Sequence, residues 1–196
     1  MALQPQVWLS PEAYLAIERR SACKSEYVAG EMFAMVGVSR RHSLIVANVI
    51  RILGNQLLAS PCNVYPSDMR LKIPRTGRYT YPDVVVACAE EQFEDEHRDT
   101  LLNPVVIIEV LSDSTEAYDR GKKFEEYQRI ESLVEYVLIA QDHHSVEHYV
   151  RQDQRTWLYS VFQSLEDSVP LSTIGCQMGL QDVYVKVDVQ HTLDVV

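Results

Sequence analysis

The stretch PVVIIEVLS, residues 104–112, sets a single acid, Glu109, inside an otherwise aliphatic run. Its length and its Val, Ile and Leu content suit a strand buried on both faces. An ionised carboxylate in such a place is costly unless something compensates it. A second run, YPDVVVA at residues 81–87, carries Asp83 directly after Pro82. Alternation puts Asp83, Val85 and Ala87 on one face of their strand, and Ile107, Glu109 and Leu111 on one face of the other. If the strands are neighbours, both acids can project from the same side of the sheet. The next segment, DRGKKFEEYQ at residues 119–128, reads as a helix bearing Lys122 and Lys123. Either acid alone fits an ordinary loop-capping carboxylate. Together with an ammonium they point to a divalent-cation site beside a second positive group.

The surroundings bound the alternatives. At 196 residues the chain suits a single domain, residues 1–196, with a core of its own. Hydrophobic residues make up 46% and charged ones 23%, which argues against disorder as the main state. A formal charge of −10 argues against a general nucleic-acid coat protein. It leaves room for an enzyme with a local basic patch. The start, MALQPQVWLSPEAY, lacks a signal-peptide pattern, and no apolar run is long enough to span a bilayer. Cys23, Cys62, Cys88 and Cys176 are scattered without a CxxC pair, so free thiols in a cytoplasmic protein are expected.

Working along the chain, Ser10 and Pro11 predict a helix start, running to about residue 20. SEYVAGEMFAM predicts a hairpin turning at Ala29-Gly30. Val46, Val49, Ile50, Leu53 and Leu57 repeat at helical spacing and predict a helix over 40–59. Short strands are expected over 62–65, 69–74 and 81–88, with RTGRY as a turn at Gly77. The acidic segment 90–104 reads as a surface loop, 115–130 as a helix, and VEYVLIA as a buried strand. VEHYVRQDQRTWLYS predicts a hairpin turning near Gln152-Asp153, and the remainder a last strand and a short helix. This order gives an α/β (α+β) chain with a central mixed sheet flanked by helices, plus an N-terminal helix and hairpin.

Pro82-Asp83, Glu109 and a helical lysine resemble the PD-(D/E)xK nuclease superfamily. The wider run is more specific. VLSDST, DRGKKFEEY and VEYVLI, with GEMFAM and RRHSLIVANVI upstream, resemble the Uma family of restriction-endonuclease-like proteins across most of the chain. The resemblance implies a restriction-endonuclease-like core and a Mg²⁺- or Mn²⁺-dependent endonuclease acting on DNA. Asp83, Glu109 and the backbone carbonyl of Val110 would hold the metal. Leu111 stands where the ExK pattern has its lysine, so the resemblance implies that the catalytic amine has moved to Lys123. Lys123 also makes a favourable i,i+4 helix pair with Asp119, while Lys122 turns about 100° away.

Further candidates are Glu31, as a third acid, and His42, beside a weak basic patch of Arg40 and Arg41 that suits phosphate. Ser112, Ser114 and Thr115 read as caps of the following helix. His143, His144 and His148 read as surface residues of the hairpin, since nothing nearby completes a zinc set. A homodimer would suit cutting of both strands. Two other readings stay open: a catalytically silent nuclease-fold interaction module, and a metal-dependent hydrolase of a smaller phosphoester.

Overall fold

The computed structural model describes residues 8–112 and 116–189. Helix α1 (Pro11–Glu18) begins where Ser10 Oγ accepts the Ala13 N–H. The hairpin of β1 (Ser25–Val28) and β2 (Glu31–Ala34) turns at Ala29 and Gly30, both at positive φ. A Cβ on Gly30 would lie 2.2 Å from the Trp8 ring, so both backbone and packing require glycine there. Helix α2 (Arg40–Gln56) is capped by Ser39, whose hydroxyl accepts the His42 N–H. Its Ile45, Val49, Ile52 and Leu53 are buried. Each such side chain contributes about 1.5–3 kcal/mol when removed from water.

The chain then forms β3 (Cys62–Pro66), β4 (Arg70–Ile73), β5 (Arg78–Thr80), β6 (Val84–Cys88), β7 (Thr100–Leu101) and β8 (Val106–Leu111). Next comes a three-part helical segment: α3 (Glu116–Tyr118), a π-turn over Asp119–Lys123, and α4 (Phe124–Tyr127). Strands β9 (Glu135–Ala140), β10 (Val146–Arg151) and β11 (Trp157–Phe162) follow, then β12 (Ser168–Leu171), β13 (Cys176–Gly179) and α5 (Leu180–Val183).

The central sheet has the order β11-β10-β9-β8-β6-β3, parallel only between β8 and β9. A smaller sheet has the order β2-β1-β5-β4-β7, and β12 pairs with β13. Strand β8 alternates between two cores. Val106, Ile108 and Val110 join the cluster that includes Ile45 and Val49 of α2. Ile107 and Leu111 join the opposite cluster with Tyr127, Tyr136 and Leu71. Glu109 shares this second face. The parallel β8–β9 pair needs a crossover, and the segment 116–127 supplies it, lying over the Glu109 face. Among the described residues, no helix is long and apolar enough to cross a membrane.

The structure adds several corrections. RTGRY is more than a turn: Arg78–Thr80 is a fully buried strand that pairs with both β4 and β1. The 90–104 segment contributes β7, which pairs in parallel with β4. The expected helix over 115–130 is broken by the π-turn and ends at Tyr127. Residues 168–179 form two strands where one was expected. Cys62 and Cys88 are not free thiols: they face each other across β3 and β6 and are disulfide-bonded, with Cα atoms 3.9 Å apart. Cys23 and Cys176 are free. Nor is His148 a surface residue, since it is buried against Glu135. His143 is exposed beside Asp142, and His144 packs edge-on to Tyr184. Ser112 lies within the described residues; Ser114 and Thr115 lie outside them.

Candidate active site

Antiparallel pairing of Val84 with Ile108 carries the register one step on, setting Asp83 opposite Glu109 where the ladder ends. The Asp83 N–H approaches Glu109 Oε2 at 3.4 Å. Asp83 Oδ2 accepts the Val110 N–H at 2.8 Å and lies 3.0 Å from His42 Nε2. In an extended strand a residue's N–H and C=O leave on the same edge, so the Val110 carbonyl shares the edge facing Asp83.

The helical segment delivers the base. Lys123 Nζ lies 2.9 Å from Glu109 Oε1 and 3.4 Å from Asp119 Oδ1, all three side chains being buried. The ion pair expected within the helix and the contact to the strand acid thus coexist. Tyr127, one turn on, donates its hydroxyl to Glu109 Oε1 at 2.7 Å. Lys122 is exposed. Asp83, Glu109, Asp119 and Lys123 open into a cavity of about 320 Å³ whose lining also includes Glu26, Phe33, Tyr81 and Tyr118.

The remaining candidates are placed as follows. His42 is buried and bonded to Asp83, with its Nδ1 unpartnered. Glu31 does not line the cavity; Glu26 does. The two share one face of the ribbon, because Val28 pairs with Glu31 and Glu26 with Phe33, but Glu31 sits nearer the turn. Glu26 is held by Arg78 at 2.7 Å and by the Thr80 hydroxyl. Arg40 is exposed and 3.1 Å from Asp188; neither it nor Arg41 lines the cavity. Glu26, Tyr118 and Tyr127 were not singled out from the sequence. Alternation marks Glu26 and Glu31 equally, and Tyr127 stands four residues beyond Lys123 with nothing in the sequence to separate it from a core aromatic.

Charge in the cluster is unbalanced. Burial pushes the Glu109 carboxyl up to about 8; Lys123 opposes the rise, while Asp83 and Asp119 add to it. Burial works against the Lys123 ammonium, yet Glu109 and Asp119 hold its pKa well above the usual lysine value. Burial, then the adjacent Glu109, keeps the Tyr127 phenol protonated as a donor. Three acidic side chains therefore surround one ammonium, and a further cation would favour the ionised form of Glu109. Asp83 makes both its contacts through Oδ2, and Glu109 meets Lys123 and Tyr127 through Oε1. That leaves Asp83 Oδ1, and Glu109 Oε2 with its long 3.4 Å contact from the Asp83 N–H, to face a hard cation. Among the described residues, no three His, Cys, Asp or Glu side chains form a metal-binding group, so a backbone carbonyl would have to complete such a set.

A mixed sheet with two acids at the end of an antiparallel pair and a lysine from the crossover segment defines a restriction-endonuclease-like fold. The family Uma2, described as "Putative restriction endonuclease", matches residues 11–181, and the chain belongs to that family. It is 35% identical over 176 residues to the uncharacterised Synechocystis protein slr1290, covering 90% of this chain and 91% of that one. A second uncharacterised Synechocystis protein, sll1609, is 37% identical over 150 residues, 76% of this chain and 85% of its own. A solved structure from Anabaena variabilis, described as "a putative nuclease belonging to DUF820", superposes with a TM-score of 0.75 at 17% identity. That match covers 91% of this chain and 99% of the other.

Proposed function

We propose that residues 1–196 form one restriction-endonuclease-like domain, a divalent-metal-dependent endonuclease that hydrolyses DNA phosphodiesters in the cytoplasm. The observation that carries this reading is the meeting of Asp83, Glu109 and Lys123 in one cavity with negative charge in excess. Asp83, Glu109 and the Val110 carbonyl would hold Mg²⁺ or Mn²⁺. Such an ion supplies an acidified water and neutralises charge on the phosphate. Lys123 orients the attacking water and stabilises the extra negative charge at phosphorus. His42 fixes the Asp83 carboxylate through Nε2, and Tyr127 does the same for Glu109.

The test is cleavage of plasmid and oligonucleotide DNA in Mn²⁺ or Mg²⁺. Asp83→Ala and Lys123→Ala should each lower the rate by about 100-fold or more. Comparable cleavage by Asp83→Ala would overturn the assignment. The Glu109–Lys123 ion pair also suits a silent scaffold. Calorimetric titration with Mn²⁺ separates the two, because no binding, or binding indifferent to Glu109→Ala, favours the scaffold.

A further inference from the structure

Two cavities meet at the candidate site. The one holding Asp83, Glu109 and Lys123 shares His42, Asp83 and residues 35–38 with a second cavity of about 530 Å³ on the α2 side. The wall between them is the segment FAMVGV, residues 33–38. It is apolar yet open to water: Phe33 is 51% exposed and Val36 81%, with Met35 and Val38 exposed as well. Four exposed apolar side chains within six residues form a patch rather than the single exposures common on soluble proteins. Phe33 is no loose loop residue. Its pairing with Glu26 across the β1–β2 ribbon fixes the ring beside the acid cluster. Tyr81 and Tyr118 add two more rings to the lining.

Few cationic side chains line the two cavities, although Arg40 and Arg41 follow the patch in sequence. Besides His42, the linings of the two cavities contain Lys24 and Lys123, and Lys24 is 2.5 Å from Asp68. Both duplex and single-stranded DNA draw affinity from Lys and Arg contacts along the phosphates, the single strand less steeply, and in a chain with a net charge of −10 stacking of bases can supply what phosphate contacts do not. An apolar, ring-bearing wall beside a phosphate-handling lysine suits a ligand that stacks. An unpaired base presents free π-faces for stacking, whereas a base within a duplex is already stacked on its neighbours.

We infer that residues 33–38 form a nucleobase subsite that selects an unpaired DNA strand, with a base against Phe33 and the neighbouring phosphate at Asp83 and Lys123. The placement of the phosphate rests on the nuclease reading above. Cutting an unpaired strand takes one active site, so a single copy of the chain suffices.

The test uses the full chain in Mn²⁺ and fluorescence anisotropy with phosphorothioate-linked probes. These are a short single strand, the same strand with central abasic positions, and its duplex. The single strand should bind about tenfold tighter than either of the others. Phe33→Ala combined with Val36→Ser should erase that preference while leaving the thermal midpoint unchanged, since both side chains are exposed. Equal affinity for intact and abasic strands, tighter duplex binding, or no binding to any probe would each overturn the subsite. So would self-association that disappears in the double variant, because the patch would then cover a second copy. Cleavage of unmodified DNA is read separately. Base selectivity without metal-dependent cleavage sinks the nuclease reading alone, and cleavage without base selectivity sinks the subsite alone.

Discussion

Two of the carboxyl groups buried in the central sheet, on neighbouring strands, behave in opposite ways. Glu109 on β8 is 3% exposed and Glu135 on β9 is 1% exposed. Burial alone would raise the Glu135 carboxyl, but hydrogen bonds from His148 at 2.6 Å and from the Thr173 N–H at 2.7 Å bring it below its ordinary value. Both of its oxygens are satisfied. Burial, reinforced by Asp83 and Asp119 against the pull of Lys123, raises Glu109 to about 8, and its side chain belongs to the lining of a cavity. A buried charge is therefore no mark of a site by itself. What separates the two is whether the partners of the carboxyl group outweigh the cost of its burial.

The sharpest way to break this contrast is to remove each acid in turn. Glu135→Ala strands His148 in the core, and the expected loss is about 3–5 kcal/mol in denaturant unfolding. Glu109→Gln relieves repulsion from Asp83 and Asp119 while Lys123 keeps Asp119, so stability should change by less than about 1 kcal/mol. Metal-dependent activity should follow the reverse order. If Glu109→Gln proved the more destabilising change, the two sites would be of one kind.

Acid titration sharpens the comparison further. The folded pKa of Glu135 lies below its unfolded value of about 4.5, so its stabilisation is complete above pH 4.5. That stabilisation fades as pH falls through the folded value. Glu135→Gln should flatten the acid limb of a thermal-midpoint curve below pH 4.5 and leave the neutral region parallel. An unchanged acid limb would mean that the His148 pairing carries no stability. The smallest effect belongs to the surface: Arg40→Ala, which breaks an exposed pair with Asp188, should cost less than about 0.5 kcal/mol. A larger loss would show that an exposed pair in this fold can rival the buried ones.

Asp83 and Glu109 were legible because strand alternation is a strict period of two, and two apolar runs left few alternatives for the face of each acid. Lys123 was legible through family resemblance and not through spacing, since spacing pairs it with Asp119 equally well. Other features depend on contacts distant in sequence. Glu26 and Glu31 occupy one face of the ribbon, and only the position of that ribbon against the central sheet decides which reaches the cavity. His148 reads as a surface residue of the hairpin until β9 sets Glu135 beside it. Cys62 and Cys88 meet only because β3 pairs with β6 in that register. The strand Arg78–Thr80 was hidden in a turn, since three residues are too few for a periodic signal.

The π-turn over Asp119–Lys123 carries a consequence of its own. It accommodates an extra residue within an otherwise α-helical path, as such bulges do. One residue fewer between Asp119 and Lys123 would restore the ordinary pitch and leave the flanking turns close to their present phase, because a π-turn absorbs its extra residue by widening a single turn. The β-strand pairings would not be altered directly. Loss of Gly121 would therefore close the widened turn and still leave Asp119, Lys123 and Tyr127 on one stripe, so the cluster depends on the identity of those three residues more than on the chain length between them.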